Sequence, residues 1–202
     1  MDQKRIFRGK MMSKVKHGPI PLVYPIPITL VGAMVAGRPN YTTIGDCGLA
    51  GIRPPLVFVS SHRDHHINKG IIKNRTFSIN FPNTKLLDKT DYCGIVSGRD
   101  VDKSALFQTF YGELKSAPMI SECPINLECK VLKDFLIQHR QIFIGEVVQC
   151  HADEGLIIQL EEGKAITDMK RLDPIIYSLD NKYYSIGKTI GTGYKEGKKI
   201  SK

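Results

Sequence analysis

Residues 40–82 read NYTTIGDCGLAGIRPPLVFVSSHRDHHINKGIIKNRTFSINFP, and the fold is decided within them. Residues 41–44 have the make-up of a short strand. Residues 45–51 are small and read as an irregular segment. Arg53-Pro54-Pro55 fixes an extended approach to residues 56–60, an apolar run that reads as a buried strand. Residues 61–64 turn the chain, and Asp64 is placed to cap a helix over 65–74. Residues 75–81 then form a third strand. Thr76, Ser78 and Asn80 fall on one face of it, and Phe77, Ile79 and Phe81 on the other.

Outward from this stretch the pattern stays mainly β. Prolines at 19, 21, 25 and 27 forbid a helix before residue 28. The proline-free run ITLVGAMVA at 28–36 follows as a buried strand, closed by a turn at 37–40. Residues 84–111 read as short helices and loops. Residues 125–131 alternate strictly, residues 141–149 form a further strand, and 172–177 with 181–186 form a terminal hairpin. Helices do not alternate regularly with these strands. The expected fold class is therefore an antiparallel β-barrel or sandwich with inserted short helices, not a doubly wound parallel sheet. The domain is expected over 20–186, between a basic extension at 1–19 and a glycine- and lysine-rich tail at 187–202.

The net charge of +9 resides at the ends. Residues 1–17 hold six Lys/Arg against Asp2, and residues 182–202 hold six lysines against Glu196, so the middle is close to neutral. Basic ends are ordinarily solvated, which argues against specific nucleic-acid binding. The five cysteines, Cys47, Cys93, Cys123, Cys129 and Cys150, are scattered and contain no C-x-x-C pair. That fits reduced thiols in a cytoplasmic protein rather than a disulfide framework or a zinc site. No run of about 18 apolar residues is present, and the first residues lack a signal-peptide core.

Several groups of residues can carry chemistry. Ser60, Ser61 and Arg63 lie where a strand enters a helix, so hydroxyls, a guanidinium and free backbone N–H groups can converge on a phosphate. Asn40, Thr42 and Thr43 can add neutral hydrogen bonds from a neighbouring strand. The same spacing also suits a helix cap beside a solvated arginine. His62, His65 and His66 offer nitrogen ligands on one turn, but His65 and His66 are neighbours that point in different directions and no spaced carboxylate or cysteine completes a set, so they read as a polar helix face and no metal is expected there. Ser97-Gly98-Arg99 with Asp102 and Lys103 forms a cationic turn that can reach a phosphate or pair within itself. His139 stands at the start of a strand, as an acid/base, a stacking partner or a structural histidine. Residues 191–197 miss the dinucleotide fingerprint by one residue, and no phosphate loop or nucleophile elbow is present.

Five segments together resemble the flavin reductase-like FMN-binding proteins, with the flavoredoxins as the nearest branch. They are TLVGAMVAGRPNYTTIGDCGLAGIRPPLVFVSS, FSINFP, SGRDVDK, HRQIFIGEVV and LDPIIYSLDNKYYSIGKTIGTGY. The resemblance covers most of residues 28–194. It implies an FMN-binding split β-barrel, a homodimer, and non-covalent FMN. Carried over by position, it implies flavin contacts from Asn40, Thr42 and Thr43. It implies ribityl and phosphate contacts from Ser60, Ser61 and Arg63, with Asn80 on the third strand and Lys103 near the phosphate. His139 would face the flavin ring or the nicotinamide side. The implied activity is oxidoreduction: electrons pass from a reduced donor, NAD(P)H among the candidates, to an acceptor flavin, small molecule or redox partner protein. A non-catalytic FMN carrier or sensor is the alternative. Where many family members carry an aromatic residue, this chain has Asp46-Cys47-Gly48.

Overall fold

A computed structural model describes residues 14–159 and 165–200. Residues 1–13 of the basic extension and residues 201–202 of the tail lie outside the described residues.

The chain opens with β1 (Ile26–Pro27), β2 (Thr29–Val35), β3 (Arg38–Ile44), β4 (Cys47–Gly51) and β5 (Leu56–His62). Helix α1 (Ile67–Asn74) leads into β6 (Thr76–Phe81), and α2 (Leu87–Ile95) follows. Two short strands, β7 (Thr109–Phe110) and β8 (Met119–Ile120), precede the long hairpin of β9 (Ile125–Ile137) and β10 (Arg140–Ala152). The chain then runs through β11 (Ile157–Gln159), β12 (Ala165–Thr167), α3 (Met169–Leu172), β13 (Ile176–Ser178) and β14 (Lys182–Tyr184).

Seven strands form one antiparallel sheet in the order β3-β2-β6-β9-β10-β5-β4. Its two edge strands, β3 and β4, are consecutive in sequence. The sheet therefore curls so that its edges come together at the Gly45-Asp46 corner; there the Ser60 N–H donates to the Asp46 carbonyl at 2.8 Å, continuing the β4–β5 pairing. This closure is the split barrel. Its interior is filled by Val31, Ala33, Ile44, Val57, Val59, Phe77, Ile79, Cys129, Val131 and Phe143, with Ile67 and Ile71 of α1 plugging it. A second cluster lies outside the barrel. Leu30 and Tyr41 point away from the interior and meet Leu86, Cys93, Phe107, Ile120 and Cys123. This packing seats α2 and the segment after it on the outer face of β2 and β3.

The period-2 reading of β6 holds, but both faces are buried. Phe77 and Ile79 enter the barrel. Ser78 donates to the Pro118 carbonyl, and Asn80 joins a polar knot under β8. Strand β2, apolar after Thr29, is buried along nearly its whole length, as its composition requires.

Four local expectations change. The turn expected at 37–40 is confined to 36–37, and β3 begins at Arg38. Residues 45–51 were expected to be irregular, yet 47–51 form edge strand β4, paired to β5 with a bulge between Leu49 and Gly51. Pairing to a good strand overrides poor intrinsic propensity, and Gly48 lets β4 lie against the Phe58 ring. Asp64 does not cap α1; the helix begins at Ile67, with His66 at its N-terminal boundary and no side-chain cap. Instead, Asn68 Nδ2 donates to the carbonyls of His62 at 2.9 Å and Arg63 at 3.1 Å, clamping the turn from inside. The terminal hairpin is shorter than expected, since Leu172 belongs to α3. Among the described residues no helix is long and apolar enough to cross a membrane.

Candidate functional site

Strand β3 sorts its polar residues onto two faces. Tyr41 and Thr43 face α2, and the Thr43 hydroxyl donates to the Thr90 carbonyl. Asn40 and Thr42 face the other way, into a cavity of about 190 Å³. Neither Asn40 nor Thr42 has a side-chain hydrogen bond within the described residues. The cavity's other walls are the turn before α1, with His65 and His66, and the segment from Gly94 to Gly98 with Lys103. A wider cleft of about 520 Å³ shares Asn40, His66 and Gly98 and adds Arg38 and Arg99. Joined through these shared residues, the two are on the scale of a small-molecule site, ~300–1,000 Å³.

Lys103 is the unusual member of this set. Its side chain is 1 % exposed, and no carboxylate pairs with it among the described residues. Its ammonium donates to the carbonyls of Cys93 at 2.9 Å and Val96 at 3.1 Å, which closes the C-terminal end of α2. An ammonium has three N–H donors, so one remains after these two bonds. Burial lowers the Lys103 pKa from its ordinary value. Asp102 positions the lysine: its carboxylate accepts from the Ser104 N–H at 3.0 Å and the Ser104 hydroxyl at 2.6 Å.

His66 Nδ1 is buried and has no hydrogen-bond partner. Burial lowers the His66 pKa, and the cations Lys69, Arg99 and Lys103 lower it further. His65 is lowered by burial and then by His62, Arg140 and Lys103. These shifts share a sense: burial disfavours a positive charge on each group, and at His65 and His66 neighbouring cations add to it. An anion in the cavity would relieve all of them. Gly98 sits where a Cβ would lie 2.2 Å from Asn40 Nδ2, so only glycine leaves the Asn40 amide in place. Arg99 spans the mouth, its guanidinium donating to the Asp64 carbonyl.

The other residues singled out from sequence do not line this cavity. Ser61 is buried, and its hydroxyl donates to Asn68 Oδ1 at 2.6 Å, inside the turn clamp. Ser60 is held by Arg140, which donates from Nε to its hydroxyl at 3.1 Å and from Nη2 to its carbonyl at 2.7 Å; Nη2 also reaches the Asp46 carboxylate. Arg63 is exposed, and its N–H donates to the His139 carbonyl at 2.8 Å. His139 stacks on His62, with centroids 6.2 Å apart and planes at 14°. Asn80 is fully buried elsewhere: it donates to the Leu30 carbonyl at 2.7 Å and accepts from the Ile120 N–H and Asn126 Nδ2. Among the described residues, no group of three or more His, Cys, Asp or Glu side chains can hold a metal ion. The sequence reading had taken His65 and His66 for a polar helix face. The signal it lacked was the cation crowding that only the return of residues 94–103 creates.

Comparison with known proteins gives the family. The family described as flavin reductase like domain matches residues 22–170. The crystal structure of a flavoredoxin from Methanosarcina acetivorans is 40% identical, with a TM-score of 0.88, covering 94% of this chain and 100% of that one. Flavoredoxin of Desulfovibrio vulgaris (Miyazaki F) is 30% identical, with a TM-score of 0.81, covering 92% and 100%. An FMN-binding protein from Thermus thermophilus, crystallised with 1-cyclohex-2-enone, is 25% identical with a TM-score of 0.73, covering 90% and 100%. With its split barrel, and with a matched region reaching from before β1 into α3, the chain belongs to the flavin reductase-like family, on its flavoredoxin branch.

Proposed function

We propose that the chain binds FMN non-covalently and, as a homodimer, passes electrons from a reduced donor such as NAD(P)H to an acceptor flavin or protein. The observation that carries this reading is the Lys103 ammonium: buried, unpaired with any carboxylate in the described residues, and set in the wall of a polar cavity. Burying an ion costs several kcal/mol, roughly, even after relaxation. Two carbonyl bonds offset part of that, and a phosphate dianion supplies the missing countercharge.

The residues present fit that group. The orphaned Nδ1 of His66 and the remaining Lys103 proton are suited to phosphate oxygens. The Asn40 amide and Thr42 hydroxyl are suited to neutral hydrogen bonds along a ribityl chain or ring edge. Thr43, Ser60, Ser61 and Asn80 act through others: Thr43 seats α2, Ser60 anchors Arg140, Ser61 holds the turn before α1, and Asn80 ties β8 to β2. Arg63 and His139 are exposed beside the turn before α1, on the side we assign to an incoming donor. When bound, FMN supplies the acceptance of two electrons and their release. The chain's part is to hold it, orient it and keep water from one side.

Titration of the purified, flavin-stripped protein with FMN and with riboflavin tests this. We expect a yellow complex that favours FMN over riboflavin by about tenfold or more, the worth of a charge-assisted bond to phosphate, ~1.5–3 kcal/mol. Lys103→Met should abolish that preference and leave riboflavin binding little changed. Protein that takes up no FMN refutes the reading. Anaerobic mixing with NADH then separates electron transfer, which bleaches the bound flavin, from simple carriage, which does not.

A further inference from the structure

Across β3 from the flavin cavity lies a second cleft of about 440 Å³, with Gly94 and Ile95 as a wall common to both. Its floor comes from β1 and β3, one side from the end of α2, and the other from the β13–β14 hairpin. Ile95, 72 % exposed, and Leu179, 46 % exposed, present apolar surface at its rim. Tyr177 and Tyr183 stand together on the hairpin side, centroids 5.4 Å apart and rings inclined at 55°.

The charge of this cleft is opposite to that of the chain. In a protein of net charge +9, no Lys, Arg or His lines it among the described residues, whereas Asp46 and Asp91 do. Asp46 is paired with Arg140. Asp91 has no cation partner among the described residues; its Oδ1 accepts the Tyr183 hydroxyl at 2.6 Å. One carboxylate oxygen of Asp91 therefore carries charge without a bonded donor. Burial, and then Asp91 itself, keep the Tyr183 phenol protonated well above its usual range, so Tyr183 stays a donor and does not add a second charge. An apolar cleft, two tyrosine faces and a half-buried carboxylate lacking a cation together select one ligand chemistry. Tyrosine faces attract cations through the ring quadrupole, and a flat ligand uses the apolar walls.

We propose that this cleft binds a flat organic cation, held by Asp91 through charge and by Tyr177 and Tyr183 through their ring faces. The proposal does not depend on flavin binding, because Asp91, Tyr177 and Tyr183, which carry it, line neither cavity assigned to the flavin.

Calorimetric titration of the full chain with 1-methylquinolinium tests it, against quinoline, which has the same shape and is uncharged above neutral pH. The cation should bind one-to-one and about tenfold more tightly than quinoline, the order expected from one partly exposed ion pair plus a cation–π contact. Asp91→Asn should remove that difference while leaving quinoline binding unchanged, and Tyr177→Leu should weaken both ligands. If Asp91→Asn fails to fold, Tyr183→Phe serves: it keeps the ring and releases the Asp91 oxygen, so the cation should bind as tightly or more tightly. Equal affinity for the two ligands, a preference that survives Asp91→Asn, a loss of cation binding in Tyr183→Phe, or no binding of the cation would each overturn the proposal.

Discussion

Glu128 shows how a single residue can hold a loop. It is fully buried, yet it is a carboxylate. Its oxygens accept from the Glu113 N–H at 3.1 Å, the Leu114 N–H at 2.6 Å and His151 Nε2 at 2.6 Å. Gly112 completes the arrangement, since a Cβ there would lie 1.9 Å from Glu128 Oε1. Burial pushes the Glu128 carboxyl up, but the Leu114 N–H, His151 and the Glu113 N–H outweigh it, and the net shift is below the ordinary value. The sign of the pH effect follows. A depressed folded pKa means that the unfolded chain binds the proton more readily. Glu128 therefore stabilises fully above the usual glutamate range, and that stability is lost as pH falls through the lower folded value. Glu128→Gln turns an acceptor-only group into one that aims an N–H₂ at a donor. It should cost about 1–3 kcal/mol at neutral pH and flatten the acid limb of the stability profile, read by denaturant unfolding at a series of pH values. Nothing in the sequence marks this residue: Glu128 lies in a strictly alternating strand, and its partners come from a distant loop and from β10. Lys103 was legible for the opposite reason. It sits in a short cationic turn with Gly98 and Arg99, and the pattern SGRDVDK already suggested an anion. What the pattern could not contain was Asn40 packed against Gly98.

Among the elements, α1 links the fold to the site. It buries Ile67 and Ile71 in the barrel and carries His65 and His66 at its start. It can do both because Gly70 lies against β2. A Cβ at Gly70 would be 2.4 Å from the Met34 carbonyl oxygen, which also accepts from Asn74 Nδ2 at 2.8 Å. Replacing a helical glycine by alanine ordinarily gains about 1 kcal/mol. Here the contact is with backbone that cannot swing aside, and overpacking costs roughly 1–3 kcal/mol. Gly70→Ala should therefore destabilise by about 1 kcal/mol, a fall of roughly 2–4 °C in the melting midpoint for a chain of this size. It should also weaken FMN binding, because the shifted helix moves the His66 wall; a rise in midpoint with unchanged FMN titration would contradict this account. Elements with strong period or composition, such as β2, β5 and β6, could be read directly from sequence. The edge strand β4 could not, because its glycines and alanine gain strand geometry only from pairing with β5. The start of α1 was misplaced because Asp64 has the right residue type for a cap, while the actual clamp, Asn68, lies inside the helix.

At the scale of the whole molecule, the barrel's strand order was beyond the sequence. Strands β3 and β4 are neighbours in the chain and opposite edges of the sheet, and only the folded barrel brings Asn40 and Thr42 beside the turn before α1 and the residues that end and follow α2. The charge distribution, in contrast, was readable, and it separates the site from the tail. Residues 187–202 hold five lysines against Glu196. The described part, 187–200, is exposed throughout. Within it, the Lys195 N–H donates to the Thr192 carbonyl at 3.2 Å, the Thr192 N–H to Glu196 Oε1 at 3.2 Å, and Lys199 pairs with Glu196. Such a segment adds charge to the molecule without adding core, and exposed substitutions of this kind ordinarily change stability by about 0.5 kcal/mol or less. A chain ending at Ile186 should therefore melt within about 2 °C of the full chain and bind FMN within about twofold. Its retention on a heparin column should fall, with a shallower dependence of elution on salt, because fewer lysines release counterions from the polyanion. A large loss of FMN affinity on truncation would place the tail in the flavin site and make its lysines part of the phosphate's countercharge. Unchanged FMN binding with reduced heparin retention would leave Lys103 and Arg99 as the cations available to the phosphate, with His66 beside them as a hydrogen-bonding ring.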